Sequence, residues 1–168
     1  MITVREAHEK DAPAVQAVIR AVYDEYGWPW EPEGYHADLY ELEGAYWSEG
    51  DAFFIAERDG VAAGTIALED HVGGLTEPGG LVRILGCDGS LERLYVHPHH
   101  RRAGIGEILV DHVIAAARVR GMRRLEIWSD QRLHASHALY EKKGARRVGE
   151  RLCDDPDLSP EFGYLLTI

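Results

Sequence analysis

The chain is short of basic charge, of cysteine and of long apolar runs. Lys and Arg number 18 against 29 Asp and Glu, for a formal net charge of −11. Nucleic acid is therefore not an expected partner, because binding a phosphate backbone needs an excess of cationic side chains. The two cysteines, Cys87 and Cys153, stand in no metal-binding or redox spacing. That removes zinc-ribbon and thioredoxin-like readings and leaves both as reduced, structural thiols. No stretch approaches the roughly 20 apolar residues that span a bilayer, and no secretory signal pattern follows Met1. The expectation is a cytoplasmic protein with no membrane partner. Internal repeats and low-complexity tracts are also missing, which sets aside solenoids and tethers.

What is present suits one globular domain over residues 1–168, with 45% hydrophobic residues to build its core. Strands are expected at 2–6, 53–57, 63–68, 91–96, 124–128, 146–152 and 162–168. Asp59-Gly60 is a two-residue hairpin turn between the second and third of these. A helix begins at Asp11 and Pro13, carries Val15, Val18, Ile19 and Val22 on one face, and stops at Gly27. A weaker helical pattern covers 33–47, through Leu39, Leu42, Ala45 and Tyr46. Gly104 to Arg120 is the longest clean helix, with Ile105, Ile108, Leu109, Val113, Ala116 and Ala117 on its apolar stripe. A last helix covers 133–143. Residues 71–90 are rich in glycine and read as a loop or hairpin extension, with a short strand at 81–85. The order β-α-α-β-β-β-α-β-α-β-β describes a mixed α/β (α+β) sheet with helices packed on it.

The run Arg101-Arg102-Ala103-Gly104-Ile105-Gly106 carries the chemistry. It follows a strand and opens a helix. Glycines let a ligand approach the backbone, and the first-turn N–H groups have no intrahelical partner, so the run is suited to hold phosphate. A Rossmann-type site would put such a run after an early first strand; here it lies past mid-chain.

Val96-His97-Pro98 followed by Arg101-x-x-Gly104-x-Gly106 resembles the pyrophosphate-binding motif of the GNAT superfamily of acyl-CoA-dependent N-acyltransferases. Ala138-Leu139-Tyr140-Glu141-Lys142-Lys143-Gly144-Ala145 resembles the end of that family's last helix. The element order agrees from end to end. Two positions depart: Leu133 stands where many members have Asn, and Ala145 where Phe is usual.

The resemblance implies a mixed, mostly antiparallel central sheet of about 6–7 strands flanked by about 4 helices. It implies acetyl-CoA as co-substrate and a small-molecule or peptide amine as acceptor, with no metal. Dimers are common among relatives, so a homodimer is an expected assembly. By the same resemblance, Arg101, Arg102, Ala103, Gly104, Ile105 and Gly106 cradle the pyrophosphate. Leu94, Tyr95 and Val96 take the pantetheine arm along their strand, and Tyr140 is the general acid for the departing thiolate. Glu92 is the expected general base, sharing a strand face with Leu94 and Val96; a water chain is the other route, and a surface or salt-bridged role its structural alternative. Tyr26 and Trp28, with Trp30 and Tyr35, are possible acceptor walls or simply staples for the inter-helix loop. His97, His99 and His100 lack a second ligand cluster and are not expected to bind metal. A non-catalytic acyl-CoA-binding module is the competing function, kept open by Leu133.

Overall fold

A computed structural model describes residues 1–71 and 80–168. Part of the glycine-rich loop, 72–79, lies outside the described residues.

The strands are β1 (Ile2–Glu6), β2 (Ala52–Arg58), β3 (Val61–Asp70), β4 (Gly89–Val96), β5 (Arg124–Asp130), β6 (Arg146–Leu152) and β7 (Pro160–Thr167). They form one seven-stranded sheet in the order β1-β2-β3-β4-β5-β7-β6. Every pair is antiparallel except β4 with β5. The helices are α1 (Ala12–Tyr26), the single-turn α2 (Leu42–Ala45), α3 (Ile105–Val119) and α4 (His134–Lys142). One core lies between the sheet and α3 and α4; the other lies between the sheet and α1 with the short helices after it. Among the described residues, no helix is long and apolar enough to cross a membrane.

Local chemistry explains the boundaries. Asp11 precedes α1 and accepts both guanidinium N–H groups of Arg5 (2.8 and 2.9 Å) and the His8 N–H (2.9 Å), which fixes the entry of the helix. Gly27 ends α1 in the left-handed region at φ 68°. Asp59 and Gly60 both have positive φ, 53° and 81°, as a tight hairpin turn requires. A Cβ on Gly64 would stand 2.9 Å from Ile105 and Leu109, so the bare glycine is what lets α3 lie directly on β3.

Three expectations change. The 33–47 segment is not one helix: a 3-10 turn at Ala37–Tyr40, α2, and a second 3-10 turn at Trp47–Glu49 replace it. Glu41 breaks it at φ −141°, while Leu39, Leu42 and Tyr46 still reach the core. Residues 81–85 do not form a strand; Val82 makes an isolated bridge, and the Ile84 N–H is taken by the Glu126 carboxylate instead of a neighbouring strand. Ile108 is exposed, because the buried stripe of α3 turns toward Val110 and Ile114.

Candidate active site

The site begins where the sheet splits. β4 and β5 pair at Gly89↔Leu125 and Ser90↔Glu126 only. A buried knot holds the joined end. Ser90 donates to Glu126 at 3.0 Å, the Trp128 indole donates to the same carboxylate at 3.2 Å, and His71 is hydrogen-bonded to Ser90. Glu126 is fully buried, and Arg83 lies 3.5 Å from it. Beyond this knot the two strands part.

β4 carries a bulge on the open side. Thr65 pairs with Tyr95 and Ala67 with Glu92, so Arg93 and Leu94 together face Ile66. Arg93 has φ 52°, and the Thr65 hydroxyl donates to its carbonyl at 2.8 Å. One extra residue reverses the alternation of the strand. Glu92 lies opposite Ala67, which belongs to the α1-side core, and Tyr95 packs on that core too. Leu91, Leu94 and Val96 belong to the α3 side. Glu92 therefore does not share a face with Leu94 and Val96, as simple alternation predicts.

Two hollows meet at this split. The first, about 420 Å³, is lined by Leu94, Tyr95, Val96, Arg101, Arg102, Gly104, Ile105 and Gly106, with Leu139, Ser136 and Val22. It gathers the expected cofactor residues except Ala103, which packs against the core instead. Gly104 precedes α3 at φ 76°, and an added Cβ would meet nothing within 4 Å, so the backbone here faces open space. No side chain caps α3, which leaves its first-turn N–H groups to an incoming anion. Glu107, the acid of that turn, is neutralised by Lys142 (2.8 Å) and Lys143 (3.0 Å). Arg101 is drawn aside by Glu25 at 2.8 Å. Tyr26, expected as an acceptor wall, lines this hollow.

The second hollow, about 260 Å³, is lined by Tyr23, Trp28, Tyr35, Asp38, Glu92, Arg93, Asp130, Tyr140, Cys153 and Asp155, among others. Leu94, Tyr95 and Leu133 line both. Burial, then the nearby Tyr95 and Glu92, push the Tyr140 phenol upward, so it holds its proton at neutral pH. Burial likewise pushes the Cys153 thiol to about 12 and Cys87 to about 11. Neither is a ready nucleophile.

Sequence reasoning missed the strongest interaction of this hollow. Arg93 donates to both oxygens of Asp38 (2.6 and 3.1 Å) and to the Tyr35 carbonyl (2.6 Å), and its guanidinium stacks on the Tyr35 ring at 4.7 Å. Tyr46 is hydrogen-bonded to the same Asp38. The signal was the charged pair Glu92-Arg93 inside an apolar strand, which interrupts alternation and marks a bulge. His97 accepts the His99 N–H at 3.2 Å and so tightens the turn before Arg101. Among the described residues, no group of three or more His, Cys, Asp or Glu side chains could hold a metal ion.

Residues 15–145 match the model of the acetyltransferase (GNAT) family. The chain belongs to the GNAT family. It is 29% identical over 145 residues to the Escherichia coli uncharacterized N-acetyltransferase YjgM, covering 83% of this chain and 78% of that protein. It is 28% identical over 116 residues to the Danio rerio N-acetylaspartate synthetase, covering 68% of this chain and 37% of that protein. The chain thus spans little more than a third of the latter's length. A GNAT acetyltransferase from Staphylococcus aureus Mu50 superposes with a TM-score of 0.77 at 19% identity, over 99% of both chains. The protein yncA from Salmonella typhimurium, solved with its cofactor acetyl-CoA, gives 0.74 at 18% identity, over 99% of this chain and 93% of that one. These two likenesses establish the fold. As a GNAT protein, the chain has acetyl-CoA as its co-substrate, and the hollow at the start of α3 fits that ligand: Leu94 to Val96 of β4 line it, the backbone is open at Gly104, and no side chain caps the first turn of the helix.

Proposed function

We propose that the protein moves an acetyl group from acetyl-CoA to a primary amine by direct attack in a ternary complex. The carrying observation is that the two hollows share the Leu94–Tyr95 edge, with Tyr140 beside it. A donor on one side and an acceptor on the other can meet there without an acyl-enzyme.

The first turn of α3, with Arg102 and Gly104, holds the pyrophosphate through backbone N–H groups. The main chain of Leu94 and Val96, no longer paired to β5, bonds the pantetheine arm as an added strand. An aliphatic ammonium has a pKa near ~10.4, so the amine must lose a proton before it attacks. Glu92 accepts that proton, directly or through water. The C–N bond forms as the C–S bond breaks, the Tyr140 hydroxyl gives its proton to the departing thiolate, and the second proton of the acylated nitrogen returns through water to Tyr140. The raised pKa of Tyr140 supports this role, since a donor must be protonated at working pH. The raised thiols of Cys87 and Cys153 support direct transfer over a cysteine relay.

The test is Tyr140→Phe, with acetyl-CoA binding by calorimetry and turnover by thiol release. Turnover should fall by about 100- to 10,000-fold, the scale of a general acid, with the dissociation constant within about threefold, below ~0.7 kcal/mol. Equal losses in both would make Tyr140 a wall of the pocket only. Binding without turnover on any amine would favour the non-catalytic module.

A further inference from the structure

Among the described residues, three buried side-chain nitrogens have no hydrogen-bond partner: Trp28 Nε1, His36 Nε2 and Arg93 Nη1. Buried polar groups are normally satisfied, so each orphan asks for an explanation. Two of the three belong to residues that line the acceptor hollow, and the third lies against two other lining residues. Trp28 and Arg93 line it. The fully buried His36 ring stands behind, 4.5 Å from Tyr23 and 5.1 Å from Tyr35, which also line it. Its Nδ1 accepts the Glu31 N–H at 3.0 Å, so the ring proton sits on Nε2. Every orphan is therefore a donor. What is missing here is a group rich in acceptor oxygens.

The rest of the hollow carries mostly carboxylates, with Arg151 paired to Glu161. Glu92, Asp130 and Asp155 line it. Carboxylates suit the ammonium of any amine; a cluster of orphan donors does not. The bulge puts the two kinds of group side by side. Arg93 in the left-handed region reaches Asp38 and Tyr35 on the α1 side, and Glu92 lies on that same side. In a regular strand, neighbours would point to opposite faces. Here a consecutive acid and base share one chamber.

We propose that the acceptor is a zwitterion: an amine that also carries a carboxylate, as a small amino acid does, its carboxylate held by Arg93 Nη1 and Trp28 Nε1 and its ammonium facing Glu92. This rests on the transferase reading and names the substrate class for it. The Asp38 carboxylate already occupies the other edge of the Arg93 guanidinium, which keeps that plane fixed for a second carboxylate.

The test uses matched sets of amines with acetyl-CoA and thiol release: an amino acid, its methyl ester and its decarboxylated amine, with a polyamine alongside. In the wild type, kcat/KM for an amino acid should exceed that of its ester and its decarboxylated amine by at least about tenfold, the scale of one hydrogen bond to a charged group. Arg93→Lys keeps the charge and loses the fork; Trp28→Phe keeps the ring and loses the N–H. Both should reduce that ratio severalfold or more. If Arg93→Lys fails to fold, the wild-type ratio and Trp28→Phe still decide. Polyamines, esters or decarboxylated amines turned over as well as amino acids would overturn the inference alone. So would a ratio unchanged in both variants. Turnover of no amine of any kind would overturn the transferase reading and the inference with it.

Discussion

Gly104 and Gly121 stand at the two ends of α3 and make a matched pair. Their φ values are 76° and 78°, and a Cβ on either would meet nothing within 4 Å. Valine at either position must adopt the left-handed region, at a cost of about 1–2 kcal/mol. For a chain of this size that lowers Tm by about 2–8 °C. The strain is common to both variants, but only Gly104 lines the donor hollow. There the new side chain occupies space needed by the pyrophosphate and displaces charged hydrogen bonds worth about 1.5–3 kcal/mol each. Gly104→Val should weaken acetyl-CoA binding about 10- to 100-fold or more, while Gly121→Val should leave it within about twofold. Calorimetric titration of both, with melting curves as the stability control, separates strain from site. Equal affinities in the two variants would refute the placement of the phosphate at the start of α3.

Glu25→Gln should tighten acetyl-CoA about two- to fivefold at low salt, because it releases Arg101 from an exposed pair worth about 0.2–1 kcal/mol; no change, or weaker binding, would show that Arg101 serves α1 alone. Glu92→Gln should remove the acid limb of the kcat/KM–pH profile along with most turnover, and a profile unchanged in shape would exclude Glu92 as the base. Asp11 is held at about 2 by its bonds to Arg5, below the ordinary carboxylate value. A depressed folded pKa gives stability that is fully present above about pH 4 and lost as pH falls toward 2. Asp11→Asn should therefore cost about 1–2 kcal/mol near pH 7 and much less near pH 2, measured by denaturant melts; a difference independent of pH would mean that the charge is irrelevant.

Elements with punctuation at both ends were legible in the chain. β6 was read to the residue, and α1 and α3 nearly so, because Gly27, Gly104 and Gly121 mark their limits. The 33–47 segment was not, since its apolar spacing is served by three short turns that tertiary contacts stitch together, Asp38 with Arg93 foremost. Residues 81–85 borrow a carboxylate from Glu126, 42 positions away in sequence, which no local pattern announces. The donor hollow was legible as a motif because a phosphate cradle is built from contiguous backbone. The acceptor hollow draws on α1, the loop after it, β4, β5 and the residues before β7. Its decisive feature, the bulge at Arg93, depends on register against β3 and reversed the expected face of Glu92.

Transfer between two hollows that share one edge leaves a kinetic signature. Initial-velocity kinetics on the wild type, with acetyl-CoA and an accepted amine varied together and the N-acetylated product counted against released thiol, tests it most directly. Direct transfer gives equal amounts of both products and intersecting double-reciprocal lines. Parallel lines, or thiol released without N-acetylated amine, would contradict it.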